Sequence, residues 1–310
     1  MRLPLLLVCL TLSCATSAPG PAAPAVDANG FSDAAKSAAA GIRPETIASH
    51  IRFLADDLLA GRDPGTPGYD VAARYVASEL QAIGLKPAGE AGTYFQKVPF
   101  VRGTPVSGSL EFSGGPGAPV RLITGENAFL LTDVDQGLTD VSADAVFAGY
   151  GLSVSEYGYD DFATLDVRDK IVLVLAGAPH SERKDFFPPL ASAVHGQSER
   201  IARELMRRGA KGLVWVWPPV KEALTPFKLL LGHYAFDAMR LEDSPPLLPQ
   251  GMIDAATFQA LLKQAGRSET VAQLVEASAQ GKPHNFPLGL RARIRRESKI
   301  RRITSENVVA

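Results

Sequence analysis

Ile171-Val172-Leu173-Val174-Leu175, the stretch Glu199 to Arg208 closed by Gly209, and Leu213-Val214-Trp215-Val216-Trp217 decide the fold. Neither apolar run shows the polar alternation of a strand with one wet face, so both read as strands buried on two sides. The stretch between them reads as a helix with a glycine stop. Strand, helix and strand in that order predict a mixed, partly parallel sheet and an α/β fold. Working outward, Leu110-Glu111-Phe112 and Ala145-Val146-Phe147-Ala148 are short strands among Gly and Pro turns. Met252-Ile253 leads into Asp254, an N-cap for a helix from Ala255 to Ala265 that stops at Gly266. Leu288, Leu290, Ala292 and Ile294 alternate with Gly289, Arg291, Arg293 and Arg295, a half-buried strand with a basic outer face. Asn307-Val308-Val309-Ala310 reads as the start of a further strand.

Upstream, Ile47, Ile51, Leu54 and Leu58 form a helical stripe with Pro44 in the first turn. A breaker-rich loop follows from Gly61 to Gly68. A second helix carries Ala72, Tyr75, Val76, Leu80 and Ile83 on one face and ends at Gly84; Tyr94 to Phe100 is a strand.

The chain has 310 residues, 46% hydrophobic and 21% charged, with a net charge of −1. That length suits about two domains, and the apolar share is that of a globular protein. Lys and Arg total 32 against 33 for Asp and Glu, which argues against a nucleic-acid partner. Gly and Pro, 28 and 23, mark a loop-rich protein.

Met1-Arg2, the apolar run Leu3 to Leu12 and the small residues Ser13 to Ser17 make residues 1–18 a secretory signal. The run is too short to span a bilayer, which takes about twenty residues. Both cysteines, Cys9 and Cys14, lie here. Cys14 after Ser13 resembles a lipoprotein processing site, and cleavage near Ala18 is the alternative. Export is expected either way, to the periplasm, an outer-membrane anchor through Cys14, or the medium. Residues 19–42 read as a flexible leader.

A catalytic constellation does not emerge. His50, His180, His195, His233 and His284 stand far apart, with no His-Glu-x-x-His or His-x-Asp spacing. There is no Gly-x-Ser-x-Gly elbow, and Gly114-Gly115-Pro116-Gly117 is a turn. Asp56-Asp57 reads as a solvated pair in the last turn of the first helix. Asp133-x-Asp135-x-Gly137 with Asp144 shares part of a calcium-loop spacing but lacks its glycine, and a turn between strands is expected. Seven Lys or Arg fall between Arg291 and Arg302, a patch able to draw polyanions, although charge on an outer strand face is the ordinary arrangement.

Leu54-Ala55-Asp56-Asp57-Leu58-Leu59-Ala60-Gly61-Arg62, Gly65-Thr66-Pro67-Gly68 and Ala72-Ala73-Arg74-Tyr75-Val76 resemble the opening of exported double-zinc aminopeptidases. These form the twenty-eighth metallopeptidase family, kin to vibrio-type aminopeptidases, glutamate carboxypeptidase and the transferrin receptor ectodomain. Gly84 to Gly89 and Thr93 to Pro99 continue the match. Gly149-Tyr150-Gly151, Tyr159-Asp160-Asp161-Phe162, Asp166 to Val172 and Gly209 to Val214 look like the protease-associated domain inserted in many members. Arg302 to Ser305 and Asn307 to Ala310 match the strand on which that family's chain re-enters its peptidase domain.

The resemblance implies an N-terminal segment of an incomplete zinc-peptidase domain at 43–104, a protease-associated β/α domain at 105–295, and the start of a truncated peptidase core at 296–310. It implies peptide or protein substrates and two zinc ions in a full-length member. The family's metal ligands and general-base glutamate all follow the Asn-Val-Val strand, so no residue here matches a catalytic, cofactor or metal position. The expectation is the opening part of an exported zinc aminopeptidase, inactive alone. The alternative is a non-catalytic protease-associated module that binds peptide or protein. Residues 45–100 should then expose apolar surface meant for an absent sheet.

Overall fold

The computed structural model describes residues 30–181, 183, 185–233 and 236–310, with only the backbone of 233. The expected signal segment with Cys9 and Cys14, the expected leader as far as 29, and the His233 side chain lie outside the described residues.

In chain order, α1 (Asp33–Ala40), α2 (Pro44–Leu54) and α3 (Pro67–Ala82) precede β1 (Phe95–Ser113). Then come β2 (Val120–Ile123), β3 (Phe129–Leu130), β4 (Leu138–Ala148), β5 (Ser153–Val154), β6 (Tyr159–Asp160) and β7 (Ile171–Leu175). The helices α4 (Pro189–His195) and α5 (Ser198–Arg207) cross to β8 (Gly212–Trp217). After α6 (Pro219–Leu224), α7 (Phe227–His233), β9 (Ala238–Leu241) and β10 (Gln250–Asp254), the helices α8 (Ala255–Gln264) and α9 (Val271–Ala279) lead to β11 (Asn285–Val308).

The fold is mixed α/β. A nine-stranded sheet runs β2-β1-β11-β4-β7-β8-β10-β3, with β9 also on β1. The strands β4, β7, β8 and β10 are parallel neighbours, and the rest pair antiparallel. All five side chains of β7 are fully buried, as its lack of alternation requires. The α5 face of Ile201, Ala202 and Leu205 and the α8 face of Phe258, Leu261 and Leu262 are buried in the same core. Phe147 of β4 packs on Phe258 at 5.1 Å between centroids and on Phe286 of β11 at 5.2 Å. Asp254 caps α8 through Thr257 N at 2.7 Å, as its position before the helix predicts.

The strands β1 and β11 form a long antiparallel ribbon, from Phe95 opposite Val308 to Ser113 opposite Arg291. Positions 104/105 and 295/296 lie inside these strands, and the ladder slips between Pro105 and Ser107. Asn307 and Val308 close β11 against Gln96 and Phe95 rather than opening a new strand. The continuity arises because Arg295 to Glu306 contains no Gly or Pro to interrupt the pairing.

The helix α1 lies within the expected leader and buries no side chain. The helix α2 ends at Leu54, one turn earlier than the apolar stripe suggests, so Asp56-Asp57 is not in its last turn. The Asp56 carboxylate accepts from Leu58 N at 2.9 Å and opens a separate 3-10 segment, Asp57–Arg62. A Cβ at Gly68 would stand 1.9 Å from the Leu59 carbonyl oxygen, so this close approach of α3 to the 3-10 segment requires glycine. The layer is tied to the far end of the ribbon. Tyr69 Oη donates to Glu306 O at 2.5 Å, and Val309 N to Tyr94 O at 2.8 Å.

Candidate functional site

The basic run on β11 is largely neutralised. Arg293 and Arg295 face Asp140, Arg291 faces Asp144, and Arg302 pairs with Glu242. The Arg293 guanidinium holds the Asp140 carboxyl below its ordinary range, and Lys170 does the same for Asp144. Such pairing leaves little free charge for a polyanion. Arg296 points the other way and is buried with Asp133 at 2.9 Å, their side chains 6% and 5% exposed. Asp133 also accepts from Asp135 N, Gln136 N and the Thr139 hydroxyl. The suspected calcium spacing is therefore a turn, with Asp133 turned into the protein and Asp135 paired with Arg240.

Among the described residues the histidines form no metal-holding cluster. His50 Nδ1 lies 2.8 Å from Tyr75 Oη, and His195 packs against Tyr157 and Phe187. Among the described residues no group of three or more His, Cys, Asp or Glu side chains could hold a metal ion. These residues do not fit a pair of zinc ions, and no hydrolytic step follows from them.

Asp161 is fully buried and organises the loop after β4. Its Oδ2 accepts from Tyr150 N at 2.9 Å and Leu152 N at 3.1 Å, and its Oδ1 from Tyr159 Oη at 2.9 Å. A Cβ at Gly149 would fall 2.1 Å from Oδ1, which explains glycine there. Burial outweighs these bonds and pushes the Asp161 carboxyl up to about 7. The same burial raises the Tyr159 and Tyr150 phenols. Gly149 O accepts from Leu175 N at the end of β7, and a Cβ at Gly151 would touch Ile201 of α5 at 3.0 Å. Asp161 thus fixes how α5 sits over the sheet.

A crevice of about 300 Å³ opens where β7 and β8 end, between that sheet face, α5 and α6. Crevices at the carboxyl ends of parallel strands are the usual ligand sites of open α/β sheets. Trp215 and Trp217 of β8 and Met252 of β10 form its apolar wall. Trp215 Nε1 donates to Gln250 Oε1 at 2.9 Å, and Trp217 Nε1 to Thr225 O at 3.0 Å, which fixes both indoles. The Lys221 ammonium sits 5.0 Å from the Trp217 ring centroid. Burial lowers its pKa, and among the described residues no carboxylate pairs with it. Sequence reasoning saw Trp215 and Trp217 only as a buried strand, and with Glu222 next to Lys221 no local signal marked that lysine as unpaired.

The second open surface is the layer of α2, the 3-10 segment and α3. Ile47, Ile51, Leu58 and Ile83 are 49%, 60%, 91% and 71% exposed, beside Phe53 and Leu85. Among the described residues no helix is long and apolar enough to cross a membrane.

No protein-family model and no curated protein matches the sequence. Among solved structures, two of BSAP, a zinc aminopeptidase from Bacillus subtilis, align at 15% and 16% identity, each with a TM-score of 0.31. Each alignment covers 84% of this chain and 44% of that one, so the chain spans less than half the length of BSAP.

Proposed function

We propose that this chain is the non-catalytic part of an exported zinc-aminopeptidase-like hydrolase. It would join the helical opening layer of the peptidase domain to a protease-associated α/β domain beside the substrate cleft. One observation carries the reading: Leu58 and Leu85, inside the motifs that resemble that family's opening, are exposed together with Ile47, Ile51 and Ile83 between or just before those motifs. Single exposed apolar residues are ordinary, but several on one short helical layer are what an uncovered interaction surface would leave. At about 25 cal/mol per Å², leaving several such side chains wet costs several kcal/mol, comparable with the stability of a domain.

Two measurements test it. The purified chain with added zinc should release nothing from leucine anilide, and chelator-sensitive turnover would overturn the reading. Ile51→Glu should change unfolding stability by no more than about 0.5 kcal/mol while reducing binding of a hydrophobic dye. A loss above about 2 kcal/mol, of the size seen for core positions, means the face is covered within this chain. The alternative, a self-sufficient peptide-binding module, then takes its place.

A further inference from the structure

We propose that the crevice at the carboxyl ends of β7 and β8 binds an apolar α-amino acid in its zwitterionic form. The ligand class follows from what lines the cavity. Lys221 brings a half-buried ammonium that no carboxylate of the described residues neutralises. Glu199, in the first turn of α5, also faces the crevice. Among the described residues its carboxylate accepts from Ser198 Oγ alone, at 3.3 Å, and forms no ion pair with Lys221. A cation on α6 and an anion on α5 that do not satisfy each other suit a ligand whose ammonium and carboxylate flank one carbon. The indoles of Trp215 and Trp217, with Met252 beside them, offer a rigid apolar surface for the ligand's side chain.

A volume near 300 Å³ is at the small end of ligand cavities and suits one amino acid rather than an extended peptide. The Glu199 carboxylate disfavours dianions such as nucleotides. The Lys221 side chain lies over Gly177, where any Cβ would crowd its end: Cε would stand 3.2 Å and Nζ 3.4 Å away. The site is distinct from the peptidase reading, because it requires no metal and no hydrolysis.

The chain contains two tryptophans, and both line the crevice. Intrinsic tryptophan fluorescence of the zinc-free chain therefore reports the site directly. Titration with L-leucine and with L-phenylalanine should give a saturable change. Leucinamide, which lacks the carboxylate, and N-acetyl-leucine, which lacks the ammonium, should each bind at least about tenfold more weakly. Lys221→Met should weaken leucine binding by a similar factor, as should the exposed Glu199→Gln, which leaves the fold undisturbed. No saturable change with either amino acid overturns the proposal. So does leucinamide or N-acetyl-leucine binding as tightly as leucine, or binding that survives both substitutions.

Discussion

Asp161→Ala is expected to remove on the order of 3–5 kcal/mol of stability, enough to leave a marginal domain partly unfolded at room temperature. The substitution strands three buried donors, Tyr150 N, Leu152 N and Tyr159 Oη. Each buried donor left unmatched costs about 1–3 kcal/mol. Asp161→Asn should cost far less. Its carbonyl can serve the two amides, and its NH₂ can donate to Tyr159, whose hydroxyl already meets Ser278.

The pH dependence of that pair has a definite sign. The folded carboxyl holds its proton up to about 7, while the unfolded one releases it near the ordinary carboxylate value of about 4. Its stabilising contribution is therefore complete below about pH 4, is lost as pH rises towards 7, and is constant above that. Other carboxyls, Asp140 and Glu204 among them, are shifted downward and act in the opposite sense. The difference between wild type and Asp161→Asn isolates the one group. Urea unfolding at pH 4.5 and 7.5 should show Asp161→Asn gaining on wild type by a few kcal/mol. Equal differences at the two pH values would refute the assignment.

What the sequence made legible depended on range. The β7 and β8 strands, the Asp254 cap and the alternation Leu288 to Ile294 are written in periods of a few residues, and all are found. The ribbon was only half visible, because from Lys299 to Arg302 the side chains are not buried on either face and leave no alternation to read. Asp161 was visible only as part of a motif. Its partners stand 2 to 11 positions away, but nothing in Tyr-Asp-Asp-Phe says which aspartate turns inward. Arg296 was hidden among six other basic residues, its partner lying 163 positions upstream. The crevice required three separate elements to meet. Its unpaired charges became evident only once distances excluded the alternatives.

The Asp133–Arg296 pair gives the second large effect, and its two halves should not be equivalent. Burial lowers the pKa of the Arg296 guanidinium and Asp133 opposes that shift, while the guanidinium itself stays charged. Asp133→Asn keeps an acceptor for Asp135 N and Gln136 N at the Oδ1 position but turns an NH₂ toward Arg296. A buried cation left without its counter-ion costs about 3–5 kcal/mol. Without Asp133 the guanidinium keeps only the neutral Leu131 carbonyl, to which Nη1 donates, while Nε has no partner among the described residues. Arg296 also borders cavities of about 460 and 300 Å³, and water admitted there should hold the loss near the lower end of that range. Arg296→Met removes the charge with the vacancy partly filled, and Asp133 retains three of its four donors, so about 1–3 kcal/mol is expected. The decisive variant is the double one. Adding Arg296→Met to Asp133→Asn should restore stability relative to Asp133→Asn alone, since the uncompensated charge has gone. Chemical unfolding of the four proteins in a double-mutant cycle measures this coupling. Additive losses would show that Arg296 is stabilised by its surroundings rather than by Asp133.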